Sequence, residues 1–150
     1  MEDALVAVLT AAFDVGQSSS DDFQVIEAVT PLGPDEVMEH HRPKGRGCYV
    51  RTVTNDFEPK GAGGTPSYDR MYRFEVFILE PIRDGAARET RASIVGLMDE
   101  VIDATSNVQL FTTANATTPM RTGDTNYRIV ANSFVAGVAS METVAEYNGS

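Results

Sequence analysis

Cysteine is nearly missing from this chain: Cys48 is its single thiol. No intrachain disulfide can form, and no zinc site can be built on thiolates. Histidine is almost as scarce, with only the adjacent pair His40 and His41. Basic residues are also few. Twelve Lys and Arg stand against 22 Asp and Glu, a formal net charge of −10. Such a surface repels phosphate backbones and anionic bilayers, which disfavours tight sequence-independent nucleic-acid binding and attachment to acidic membranes. Lysine is reduced to Lys44 and Lys60, a skew toward Arg that fits either a high-GC genome or a salty habitat. No apolar run approaches the roughly 20 residues of a membrane span. The first residues, Met1-Glu2-Asp3-Ala4, lack the basic stretch that opens a signal peptide. Folding in the cytoplasm is therefore expected.

What is present fits one folded domain over residues 1–150. The 150 residues are 42% hydrophobic and 23% charged, both near globular averages. A chain of this length buries about 70% of its extended surface, enough for one core.

Two segments read as helices. Over 4–13, Leu5, Val8, Leu9 and Ala12 share a face, with Glu2 and Asp3 at the positive end of the dipole. Over 87–104, Ile94, Leu97, Met98, Val101 and Ile102 make an apolar stripe, while Arg88, Glu89, Arg91, Asp99, Glu100 and Asp103 supply the wet side. Asp35 to His41 reads as a single helical turn. Strands are expected over 22–29, 48–54, 70–80, 108–113 and 127–139. The strand over 70–80 has two partly apolar faces, Tyr72, Phe74, Val76 and Ile78 against Arg73, Glu75, Phe77 and Leu79, which places it centrally under helices. Asn55 to Asp69, with Gly61-Ala62-Gly63-Gly64, reads as a long loop, and the chain from about residue 140 reads as a flexible tail. The order α-β-β-β-α-β-β implies an α+β fold: a mostly antiparallel sheet of four to five strands with two helices packed on one face. Ile94, Leu97, Val101, Phe74 and Val76 are expected in the core.

The candidate chemistry is thin. His40 and His41 are neighbours, and neighbouring side chains diverge on helix and strand alike, so they do not chelate one metal well even with Glu27, Glu36 or Glu39 nearby. Cys48 reads as a buried, inert thiol. A nucleophilic role would need the His pair folded back over its strand. The Gly61–Gly64 run lacks the Gly-Lys-Ser/Thr and the following helix of a phosphate loop, and reads as a surface loop. Asp99 and Asp103, an i, i+4 pair on a wet helix face, read as solvated surface. Asp21-Asp22 and Asp35-Glu36 show no partner across a cleft. No catalytic, cofactor-binding or metal-ligating residue is assigned, and the chain is expected not to be an enzyme.

Several segments together resemble the tail terminator (tail completion) proteins of long-tailed bacteriophages and related tailed viruses. These are the short N-terminal helix Met1 to Phe13, the strand Arg46-Gly47-Cys48-Tyr49-Val50-Arg51-Thr52-Val53, a variable loop, and the strand Tyr72-Arg73-Phe74-Glu75-Val76-Phe77-Ile78-Leu79-Glu80. The amphipathic helix Arg88 to Ala104 and the terminal strand Tyr127 to Ala139 complete the set. The likeness lies in order and length across most of the chain. It implies a virion protein, assembled in the host cytoplasm, that forms a hexameric ring at the neck. Such a ring caps the tail tube protein, docks on the head-tail connector protein, and lets DNA pass through its lumen without specific binding. An acidic lumen would let DNA slide by like-charge repulsion. Another head-tail connector or neck protein, a non-viral oligomeric adaptor module, and a small enzyme using Cys48 or the His pair remain open.

Overall fold

The computed structural model describes residues 1–16, 23–60, 67–82, 86–110 and 116–148. Among these described residues three helices and six strands follow in the order α1 (Glu2–Ala12), β1 (Val25–Ala28), α2 (Pro34–His40), β2 (Gly47–Lys60), β3 (Ser67–Pro81), α3 (Ala87–Thr105), β4 (Ala116–Thr117), β5 (Arg121–Val130) and β6 (Phe134–Asn148). One sheet runs β1-β2-β3-β6, with β4 and β5 end to end along the outer side of β6. All pairings are antiparallel except β1 with β2. This is the expected α+β arrangement.

The period of two along β3 divides the core. Phe74, Val76 and Ile78 join Cys48, Val50, Val135, Ala139 and Met141 beneath α1 and α3, which contribute Leu5, Leu9, Ile94, Leu97, Met98 and Val101. Phe77 and Leu79 point the other way. They pack with Tyr49, Phe134, Ala136 and Val138 beneath Val37 of α2. The five residues expected in the core are all buried. The single turn expected near Asp35 is a seven-residue helix, started by Gly33 in extended conformation and Pro34 in the first turn. It covers the sheet face opposite the other two helices.

Four further expectations change. The long loop expected over 55–69 is mostly strand, since β2 continues to Lys60 and β3 begins at Ser67; residues 61–66, including Gly61–Gly64, lie outside the described residues. The flexible tail expected from about 140 is the second half of β6, paired with β3 as far as Asn148. The two corrections share a cause: each strand gives the other a partner. Tyr68 lies opposite Tyr147 and stacks on it, ring centroids 5.0 Å apart, and Tyr72 shares a hydroxyl hydrogen bond of 3.1 Å with Tyr147. Aromatic cross-strand pairs stabilise such extensions. On the outer side, the Thr118 amide donates to Val144 O at 2.8 Å and the buried Thr143 hydroxyl donates to Thr118 O at 2.7 Å.

The single strand expected over 127–139 is a hairpin. Val130 pairs with Phe134, and Ala131 and Asn132 turn the chain with φ of 52° and 57°. No glycine or proline marks that turn. The strand expected over 108–113 is absent from 108–110, where Met120 instead donates its amide to Val108 O at 2.8 Å; residues 111–113 lie outside the described residues.

Candidate assembly surface

α2 covers only one end of its sheet face. Beyond it, a row of side chains crosses four strands in register: Arg73 of β3 lies opposite Glu142 of β6, and Glu142 lies opposite Arg121 of β5. Val53 of β2 falls at the bulge between Thr52 and Thr54, beside the same row. A second bulge, between Thr122 and Thr125, interrupts β5 at this level. Each bulge adds a residue to one strand and bends it. Between the two bulges lies a groove of about 350 Å³, lined by Val53, Arg73, Glu75, Arg121, Gly123 and Glu142 among others.

Its charges are unevenly paired. Arg73 Nε faces Glu142 Oε2 at 3.7 Å. Arg51 donates to Glu75 from Nε at 3.0 Å and from a terminal nitrogen as well. Arg121 forms no ion pair among the described residues. The lining as a whole is balanced, Arg73 and Arg121 against Glu75 and Glu142. Val53 adds an apolar side chain that is 49% exposed.

The two lateral edges of the sheet differ as templates for strand addition. β5 carries Arg121, Asp124 and Arg128 and is broken by its bulge; short, charged and bulged edges suppress edge-to-edge pairing. On the other side β1 covers only Gly47 to Val50, so among the described residues β2 beyond Val50 has a strand partner, β3, on one side only.

The residues weighed for chemistry are separated by the sheet. Cys48 is fully buried on the α1/α3 side, and burial pushes its thiol up to about 12. The histidines sit at the end of α2, exposed on the opposite side. His41 Nδ1 lies 3.4 Å from Glu27 Oε1, and Glu27 is one residue from Ile26, the register partner of Cys48. The two side chains therefore point to opposite faces, and no Cys–His pair forms. Tyr49 is also raised to about 12, by burial first and then by the charge of Glu27 and by Cys48. Asp35 forms an ion pair with Arg128 at 3.0 Å, tying α2 to β5. Asp99 and Asp103 are exposed on α3. Asp21-Asp22 lies outside the described residues. The groove itself escaped sequence reasoning. Arg121 fell between the strands expected over 108–113 and 127–139, and Glu142 in the expected tail; only the bulges and the cross-strand register bring them together.

No family model matches the chain, and no curated protein matches it. Among solved structures it is similar to a chain of the virion of a native gene transfer agent particle, at 12% identity and a TM-score of 0.43, covering 95% of this chain and 84% of that one. A second solved chain, described only by a sequence identifier, is similar at 14% identity and a TM-score of 0.45, over 97% of this chain and 95% of that one. Both scores lie below 0.5, and neither likeness carries a function to this chain.

Proposed function

We propose that the chain is a structural virion protein of the tail terminator kind: a subunit of a ring, hexameric by the family resemblance, that ends the tail tube and joins it to the head connector. The observation that carries this reading is the half-covered sheet face. One end is sealed by α2, while the other, crossing four strands, exposes Val53 and Arg121, which forms no ion pair among the described residues. A chain that assembles through faces needs such a surface, and a ring needs side-to-side contacts between unlike surfaces. The element order supports the family likeness drawn from the sequence. An absence of catalysis belongs to the same proposal, supported by the buried thiol and by the sheet that separates it from the histidines. DNA passes through the ring without specific binding, in keeping with the acidic balance.

Light scattering on the purified full chain, with negative-stain imaging, tests the reading. A closed ring of uniform mass is expected, and it should bind the tail tube protein at the tube end. A strictly monomeric chain, both in solution and in purified particles, would sink it.

A further inference from the structure

A cleft distinct from the groove lies on the other face of the sheet, between the start of α3 and β5. It encloses about 250 Å³ and is lined by Arg88, Arg91, Tyr127, Arg128, Ile129 and Val135 among others. Ile129 lies opposite Val135 and Tyr127 opposite Gly137, and Ile94 of α3 reaches both Gly137 and its own side of the sheet. Tyr127 and Ile129 therefore share the face that α3 covers. Arg128, between them, points to the opposite face, where Asp35 takes its guanidinium at 3.0 Å. Val135 is buried, whereas Ile129 is 55% exposed, more than any other large hydrophobic among the described residues. Arg88 and Arg91 are three apart on one side of the helix. Both are exposed, and neither forms an ion pair among the described residues. No carboxylate is among the described residues of the lining. Glu89 projects about 100° round the helix from Arg88, and Asp99 stands about two turns beyond Arg91. Tyr127 feels both ends: its hydroxyl is raised by burial first and then by Asp99, while Arg91 draws it down.

We infer that this cleft binds a segment of a different protein in which an aliphatic side chain is flanked by carboxylates. Each half of that description answers a feature of the lining. Ile129 above Val135 is an apolar seat that water now covers. Arg88 and Arg91 beside it each present a planar fork of donors that a carboxylate can meet with two parallel bonds. Arg and Tyr around an apolar centre is the composition of interface hot spots. A second copy does not offer the complement. The large hydrophobics exposed among the described residues are Val53, Val95 and Ile129. Val53 stands among Arg73 and Arg121 as well as Glu75 and Glu142. Val95 is one helical turn from both Arg91 and Asp99, and Ile129 belongs to the cleft itself. None is flanked by carboxylates alone. Nucleic acid is a poorer fit. A phosphate backbone carries its charge on past the cleft, along a chain of net −10, whereas a short acidic segment need meet only the two arginines. The inference does not depend on ring closure, because every lining residue comes from one chain.

NMR titration of the methyl-labelled full-length chain tests it, with a short synthetic peptide of leucine between aspartates as the probe. The methyl resonances of Ile129 and Val135 should shift saturably. Arg88→Glu with Arg91→Glu should weaken that binding by about tenfold or more, with circular dichroism unchanged. A peptide with asparagine for aspartate, and one with alanine for leucine, should each lose affinity by a similar factor. Equal binding of either analogue overturns the inference, since charge or the apolar anchor would then play no part. No methyl shift with the acidic peptide at millimolar concentration removes the site. Comparable shifts with a duplex oligonucleotide at physiological salt would make the cleft a phosphate site and overturn the acidic-peptide occupant. If the double variant lowers the mass of the wild-type assembly in light scattering, a second copy fills the cleft and the different-protein occupant falls. A monomeric wild type removes the ring reading alone and leaves the titration to be read as before.

Discussion

α3 lies close against β6 at Gly137. A Cβ built there would lie 2.7 Å from Ile94 Cγ2 and 3.1 Å from Tyr127 Cε1. Ile94 is β-branched and fully buried, so it has little room to yield. Gly137→Ala should therefore destabilise the fold by about 1–3 kcal/mol, as overpacking does, measured by urea denaturation; an unchanged midpoint would show that α3 can lift off β6 freely. Glu2 anchors α1 by different means. The Thr52 amide donates to its Oε1 at 2.9 Å, and the Thr30 and Thr52 hydroxyls donate as well. Burial pushes this carboxyl up, but the hydrogen bonds together outweigh it and hold the carboxyl below the ordinary Glu range. A depressed folded-state value stabilises the fold above the unfolded-state value of about 4.3 and loses that contribution as pH falls through the folded one. Wild type should thus exceed Glu2→Gln in stability most at neutral pH, with the gap shrinking as the solution becomes acid. A gap independent of pH would mean that the carboxylate charge is not what holds α1.

α3 is the element whose packing was clearest from its spacing. Its stripe at Ile94, Leu97, Met98 and Val101 is buried against both α1 and the sheet. Leu97→Ala should cost about 2–5 kcal/mol, the transfer term plus an unfilled cavity; a loss well under about 1 kcal/mol would mean the helix face is misplaced. The β5–β6 hairpin makes the opposite case. Its turn holds Ala131 at φ 52°, a region where a Cβ costs about 1–2 kcal/mol. Ala131→Gly should therefore raise the melting temperature slightly or leave it unchanged, because relief of strain offsets the added freedom of the unfolded chain. A clear drop would show that the turn is not left-handed.

At the scale of the molecule, β3 is paired on both sides along its length, with β2 and β6, and its two faces enter two separate clusters. Protection against hydrogen exchange follows burial and pairing. The amides of β3 that bond its neighbours should exchange slowest, those of β1 and the outer side of β5 fastest among the strands. Backbone amides of residues 55–60 that donate to β3 should be protected even in isolated subunits. Exchange there at the rate of an unstructured chain would restore the long loop and remove the extended hairpin. Covering the groove should add a second signature, with slowed exchange around Arg121 to Thr125 on assembly.

Local pattern alone determined a good part of this protein. The helix stripes, the central place of the strand through Tyr72 to Leu79, and the burial of Cys48 follow from periodicity and side-chain chemistry, which act over a few residues. The acidic balance is a property of composition and bears on partners directly. Other features depended on partners distant in sequence. Residues 55–60 and the end of β6 carry weak strand signals, and they became strands only because β3 offered each a matching ladder. The hairpin turn holds two residues at positive φ, of which only Asn132 carries a turn signal while Ala131 carries none. The groove exists because two bulges, about 70 residues apart in sequence, fall at one level of the sheet. Register between remote strands is decided by the global packing of the core, and no short window of sequence contains it.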